Sequence, residues 1–242
     1  MGAANLRRRR AAADQYLAVG ASFDGTNDYI EVNPSSNNAD ATRQVVSFWF
    51  RVLGGAGTSR YIGQAVSSRW YSNLAASDKI ITQARNSSNT VIWRWDTTAT
   101  FTDSNWHHIF TYMDTTGADE SLLYIDGVAD AGSIRTEIAG TMNLSVTRWS
   151  VGSLVGGSFR SPVDVAEWWM GDPGRAVTPD DVKSFIRGGK PVRLGTAGQK
   201  PFGVTPPFYL NGDQTDFHVN RGDGGNYAVT GALTSVQEPI RL

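Results

Sequence analysis

Between Val45 and Val52 the chain alternates: Val46, Phe48, Phe50 and Val52 fall on one side, and Ser47, Trp49 and Arg51 on the other. A period of two marks a β-strand with one face against a core. Short runs of the same kind recur. Ser22-Phe23 and Tyr29-Ile30-Glu31-Val32 flank a turn rich in Asp, Gly and Asn, and Tyr61-Ile62-Gly63, Lys79-Ile80-Ile81-Thr82 and Thr90 to Trp95 follow between Ser/Asn/Gly loops. Next come Trp106-His107-His108-Ile109-Phe110 and Leu122-Leu123-Tyr124-Ile125, after which Asp126-Gly127 predicts the tight turn that closes a hairpin. Arg148 to Gly152, Val163 to Met170 and Phe208-Tyr209-Leu210 complete the set. Strand signals every roughly ten to fifteen residues, with no helical run between them, predict an all-β fold, an antiparallel two-sheet jelly-roll sandwich.

One helix is predicted, a short one covering the sandwich. Thr178 is placed as its N-cap, Pro179 in its first turn, and Asp180 and Asp181 at the positive end of its dipole. Val182, Phe185 and Ile186 supply an apolar stripe, Lys183 and Arg187 lie toward the C-terminal end, Gly188-Gly189 terminate it, and Pro191 prevents continuation. Three regions result: a basic N-terminal segment (1–18), the sandwich (19–190), and a Gly/Pro-rich extension (191–242) that packs on the sandwich or on a neighbour. In the first, Arg7, Arg8, Arg9 and Arg10 sit among helix formers that run to Tyr16 and Leu17. It reads as a solvated tail, as a docking peptide whose assembly contacts are Arg7–Arg10 and Tyr16, or as a nucleic-acid arm, which four arginines without interleaved aromatics support least.

Composition narrows the function classes. Of 242 residues 26 are Gly and 8 are Trp, which suits short strands joined by tight turns with aromatic rings between the sheets. A net charge of -1 gives no electrostatic case for nucleic acid or a membrane surface. The absence of cysteine excludes disulfides and thiolate metal sites, and with three His, two of them adjacent, no His-rich metal site is expected. Neither a signal-type apolar core nor a window of roughly 20 apolar residues occurs. The expectation is a protein made and folded in a reducing cytoplasm, and carried outside the cell, if at all, within an assembly.

In their order, Phe23-Asp24-Gly25-Thr26-Asn27-Asp28-Tyr29-Ile30-Glu31-Val32, Val46-Ser47-Phe48-Trp49-Phe50, Trp106-His107-His108-Ile109, Leu123-Tyr124-Ile125-Asp126-Gly127, Val151-Gly152-Ser153 and Val163-Asp164-Val165-Ala166-Glu167 resemble the concanavalin A-like lectin/glucanase superfamily, in its laminin G-like branch. The resemblance spans roughly residues 20–190. Within the branch the chain is similar to phage and prophage virion proteins, whose C-terminal segments resemble Phe208 to Asp213, Asn220 to Gly225 and Val229 to Leu233. The resemblance implies a non-enzymatic structural component of a virion, a capsid decoration or tail-fibre protein synthesised in the host cytoplasm. Its implied partners are other virion proteins, copies of itself, and host or environmental glycans. The alternative is a carbohydrate-binding laminin G-like module not tied to a virion, and a third reading is a glucanase-type glycoside hydrolase.

The glucanases of this superfamily carry Glu-x-Asp-x-x-Glu on one strand, and retaining hydrolysis needs two carboxylates about 5 Å apart. Here Pro162 occupies the nucleophile position, and Asp164 and Glu167 fall on opposite faces unless a bulge intervenes, so no catalytic residue and no enzyme is expected. His107 and His108, adjacent on a strand, point apart and cannot share a metal; one is expected buried and hydrogen-bonded, the other exposed. Asp24, Asp28 and Asp126 are weak calcium candidates, as carboxylates are in several relatives, but each sits beside Gly or Asn, where ordinary turn chemistry is the better explanation. No other cofactor is implied. Arg221-Gly222-Asp223 matches a cell-adhesion tripeptide but lies in a run that reads as a turn. The glycan-binding candidates are Arg69, Trp70, Tyr71 and Asn73, extended by Trp93 and Trp95 on one face of their strand, with core filling as the competing fate of the tryptophans.

Overall fold

The computed structural model describes residues 19–33, 35–54 and 59–236. Its strands are β1 (Gly20–Asp24), β2 (Tyr29–Val32), β3 (Arg43–Val52), β4 (Arg60–Ala65), β5 (Trp70–Leu74), β6 (Ile80–Arg85), β7 (Val91–Asp96), β8 (His107–Asp114), β9 (Leu122–Ile125), β10 (Val128–Ala129), β11 (Ile134–Glu137), β12 (Trp149–Val151), β13 (Pro162–Gly171), β14 (Ile186–Arg187), β15 (Lys190–Pro191), β16 (Phe208–Leu210), β17 (Ala228–Thr230) and β18 (Thr234–Val236). Two eight-stranded antiparallel sheets stack face to face as a jelly-roll sandwich. The first runs β10-β9-β8-β3-β13-β1-β18, with β16 also beside β13, and the second runs β11-β7-β6-β5-β4-β12-β2-β17.

The alternation of β3 sets the layering. Val46, Phe48, Phe50 and Val52 enter the core between the sheets, while Val45 and Trp49 join a second apolar cluster on the outer side of the first sheet. Asp126 and Gly127 both take positive φ (54° and 80°), the twist that a two-residue hairpin between β9 and β10 requires. A bulge interrupts the β13–β3 register between Ala166 and Trp169, with Glu167 at φ 50°. Beyond the bulge Trp168 points inward and stacks on Phe48, with ring centroids 5.0 Å apart. It reaches the second sheet at Gly63, where a Cβ would stand 2.3 Å from the indole.

The second apolar cluster is roofed by Val177, Val182, Phe185, Ile186 and Leu194, but the predicted helix does not form. Only Asp181–Ser184 winds, as a single 3₁₀ turn, and Ile186–Arg187 then folds back on Lys190–Pro191 through Gly188-Gly189. The start signals are in place, since the Asp181 carboxylate accepts from the Thr178 N–H and Oγ–H (2.8 and 3.0 Å) and also holds Arg175. The Gly pair then ends a segment too short to propagate an α-helix. Residues 191–236, read as an extension, are built into the sandwich. They supply β16 beside β13, β17 beyond β2, and β18 beyond β1.

Candidate functional site

The two sheets differ in what lies outside them. In the first, the central strands β3, β8 and β13 are buried on both faces, and the covered outer side contains the strand compared above with the glucanase motif. The bulge brings Asp164 and Glu167 to that same side, but Asp164 is held by Arg51 (2.6 Å) and Glu167 accepts from the Tyr209 hydroxyl (2.9 Å). Both carboxylates are buried beneath the chain's own roof, and Pro162 stands at the remaining position.

No second apolar layer packs on the outer face of the other sheet among the described residues. Register lines up two rows of side chains across it. One runs Arg94, Gln83, Tyr71, Gln64, Ser150 and Glu31; the other runs Asp96, Ile81, Asn73 and Tyr61. The loop after β12 covers the end near β2, where Gln64 accepts from the Val155 N–H and Glu31 from the Gly156 N–H (2.8 and 2.7 Å). Over β4–β7 Tyr61, Tyr71, Ile81 and Arg94 stay half exposed, while Asn73, Gln83 and Asp96 are buried between them.

Three aromatic rings gather there. Tyr61 and Tyr71 meet edge to face at 5.8 Å, and Phe159 stands 6.5 Å from Tyr61. Phe159 is 67% exposed at φ 49°, a conformation and an exposure that a bulky apolar residue rarely combines. Polar groups surround the rings. Gln83, oriented by its network, donates to the Tyr71 oxygen (3.1 Å) and accepts from Nε and Nη2 of Arg85 (3.0 and 3.1 Å). Arg94 grips Asp96 with two bonds (2.7 and 2.8 Å). Asn73 is only 7% exposed, and its Oδ1 has no hydrogen-bond partner. Burial raises the Tyr71 hydroxyl pKa against the opposing pull of Arg94 and Arg85, so it remains a neutral donor at physiological pH.

This arrangement corrects part of the predicted glycan set. Arg69, Tyr71 and Asn73 lie on or beside the open face, but Trp70, Trp93 and Trp95 point between the sheets. Trp70 packs on Trp149 at 5.8 Å; the Trp93 indole donates to Ser121 (3.0 Å); Trp95 is capped by the Arg135 guanidinium at 4.3 Å. None offers a ring face to a sugar, because β5 and β7 alternate and their inward positions fill the core. Tyr61, Gln83, Arg94, Asp96 and Phe159 come from other strands and a distant loop. The outward place of Tyr61 beside inward Ile62 is the one local signal for any of them.

The remaining candidates serve local structure. Asp24 Oδ1 accepts from the N–H groups of Thr26, Asn27 and Asp28, which holds its carboxyl below the usual range, and Asp28 ties in Ala232 N–H (2.7 Å). Asp126 accepts from His108 N–H (2.8 Å) and faces His107 Nδ1 (3.0 Å). These oxygens are engaged in turns, and among the described residues no group of three or more His, Asp or Glu could hold a metal ion. His107 and Asp126 also wall a cleft of about 410 Å³ between the loop at Thr98–Phe101 and the β9–β10 hairpin. In the Arg-Gly-Asp run, Gly222 presses on the Pro206 carbonyl, and Arg221 is held by Asn211 and Asp216. Arg7–Arg10 and Tyr16 lie outside the described residues. No helix among the described residues is long and apolar enough to cross a membrane.

A jelly roll with one roofed sheet and one open, aromatic-bearing sheet is a lectin-like β-sandwich. The chain belongs to the concanavalin A-like lectin/glucanases superfamily, whose laminin G-type family profile matches residues 24–170. Among solved structures it is similar to a heptameric SAP-like pentraxin from Limulus polyphemus (11% identity, TM-score 0.57, covering 93% of this chain and 96% of the pentraxin). It is also similar to a protein from Bacteroides ovatus provisionally described as carbohydrate-binding (11% identity, TM-score 0.58, covering 94% of this chain and 62% of that one). The chain therefore spans about three fifths of the Bacteroides protein. Among curated proteins none matches.

Proposed function

We propose that the protein is a non-enzymatic carbohydrate-binding module and that the face over β4–β7 is its glycan surface. The observation that carries this reading is the solvent-facing group of Tyr61, Tyr71 and Phe159 bordered by Asn73, Gln83 and the Arg94–Asp96 pair. Tyrosine combines an apolar ring with a polar tip, so it can lie against a pyranose and bond its hydroxyls. The half-exposed Arg94 guanidinium, fixed by Asp96, and the unpartnered Oδ1 of Asn73 at the edge of the rings add directional bonds that orient a polar ligand. The superfamily's lectins and the description of the Bacteroides protein support the reading. Tyr71→Ala is expected to weaken glycan binding at least tenfold, with far-UV circular dichroism unchanged; a glycan array blank for the wild type defeats the proposal. Non-enzymatic character is supported by Pro162 and by the burial of Asp164 and Glu167. Reducing-sugar release by the purified protein would overturn it.

Single sugar contacts are weak, and repeated sites raise avidity without new contacts. A homo-oligomer, for which the heptameric pentraxin is the parallel, therefore suits this function, and light scattering of the full chain tests it. The second reading, a decoration or tail-fibre protein of a phage-like virion that displays this surface, is supported by the resemblance of residues 208–233 to the C-terminal segments of such proteins. Its test is mass spectrometry of purified particles, from which absence of the protein removes it.

A further inference from the structure

We propose that the glycan is acidic, with Arg69 and Arg85 holding its carboxylate or sulfate; this rests on the reading of β4–β7 as a glycan surface. The two arginines stand opposite each other, the Arg85 N–H donating to the Arg69 carbonyl (2.8 Å). Like charges placed across neighbouring strands destabilise a sheet, so the pair needs a reason. Arg43, Arg51, Arg94, Arg135, Arg148, Arg175 and Arg221 each have a carboxylate within 4.0 Å; among the described residues Arg69 and Arg85 have none, as is also true of Arg160, Arg187 and Arg193, but only Arg69 and Arg85 face each other across neighbouring strands.

Both guanidinium groups are nevertheless held in place, by neutral acceptors. Arg69 Nη1 donates to the carbonyls of Asn86 and Ser87 (2.6 and 3.2 Å), and Arg85 Nη1 donates to that of Asn89 (2.9 Å). Such bonds fix orientation and leave the positive charge uncompensated, with N–H groups remaining on each fork for a planar anion. The segment before Arg69 is strained: Ser67 and Ser68 are consecutive left-handed residues (φ 58° and 52°), and Ser68 Oγ is tied to the Gln64 amide (3.0 Å). Gln83 links the subsite to the aromatic group, touching the Tyr71 oxygen at one end of its amide and Arg85 at the other. A sugar resting on Tyr71 would thus have its acidic substituent within reach of Arg85. Arg94 and Arg148 on this face are matched by Asp96 and Glu31, and Arg160 lies at the far end of the face over the Tyr29 ring.

Affinity of the full chain is measured for a polyuronate, a sulfated glycan, a neutral polysaccharide and a single-stranded oligonucleotide at low and physiological salt. The expected result is at least tenfold tighter binding to one of the acidic polymers than to the neutral one, which also tells carboxylate from sulfate. That preference is expected to vanish in Arg69→Gln/Arg85→Gln, to survive in part in Arg85→Lys, and to be unaffected by Arg187→Gln/Arg193→Gln on the roofed side. Thermal unfolding checks that each variant folds. Equal affinity for neutral and acidic polymers, or equal losses in the two double variants, overturns the acidic-glycan inference and leaves the glycan surface standing. Binding of none of the polymers overturns both. Preference for single-stranded nucleic acid over every glycan overturns the inference in favour of a different anion.

Discussion

His107 and His108 show how strand alternation sends adjacent identical residues into opposite electrostatic environments. His108 lies under the roof against Trp49 (5.1 Å), with Ser47 Oγ at 2.8 Å from Nε2, and burial pushes its pKa down to about 3. Protons then bind the unfolded chain more readily than the folded one, so His108 favours folding above the unfolded value near 6.5 and loses that contribution as pH falls toward 3. Unfolding free energy is expected to drop below pH 6.5 by up to about 1.4 kcal/mol per unit from this group, and NMR should show an imidazole that stays neutral at pH 5. Protonation of His108 at pH 6 in the folded protein would contradict this. His107 has the reverse sign. Burial opposes its charge, but hydrogen bonds to Asp126 and Asp103 outweigh that and raise its pKa, so its contribution is present below 6.5 and fades as pH rises through the folded value. Trp70 and Tyr71 divide in the same way. Trp70→Ala should cost about 3–5 kcal/mol of stability, as buried Trp truncations do, measured by chemical denaturation. The proposal assigns Tyr71→Ala a binding loss instead. Read from sequence, the two form one candidate group with Trp93 and Trp95, because Trp and Tyr suit a sugar platform and a core equally well. Only the direction in which the strand turns each residue separates them.

Among elements, β13 organises the most contacts around one irregularity. One of its edges is shared end to end, β1 pairing with Pro162–Ala166 and β16 with Trp168–Met170. The bulge between those stretches turns Trp168 inward onto Gly63. Gly63→Val should therefore lower stability by about 1–3 kcal/mol, the usual cost of overpacking a core, seen as a reduced denaturation midpoint with an unchanged slope. Long alternating strands such as β3 and β8, and the Asp126-Gly127 hairpin, are legible because period and turn chemistry agree over several residues. The short strands β11, β14, β15 and β18 carry too few residues to show a period, and β5 hides among Ser and Asn residues that also suit a loop. The helix signals at Thr178–Asp181 are genuine start signals, but Gly188-Gly189 leave no length over which a helix could pay its nucleation cost.

For the whole molecule, the order of motifs suffices to read a jelly roll, but not which sheet is left open. That depends on where residues 177–202 come to rest, and no local pattern encodes it. The same holds for the aromatic group, assembled from β4, β5 and the loop bearing Phe159. Closure of the sandwich depends on the C-terminal strands, since β16 completes the partnership of β13, while β17 and β18 cover β2 and β1. A chain ending at Pro206 should expose unpaired strand edges and elute as aggregate in size-exclusion chromatography, whereas the chain through Val236 elutes as a defined species. The pairing of β1 with β18 has a further, mechanical consequence. Gly20 lies directly opposite Val236, with Ala21 against Ser235 and Ser22 against Thr234. Tension applied through these two ends acts across the ladder, loading its hydrogen bonds one rung at a time. The seam would open like a zip at low force instead of resisting in shear.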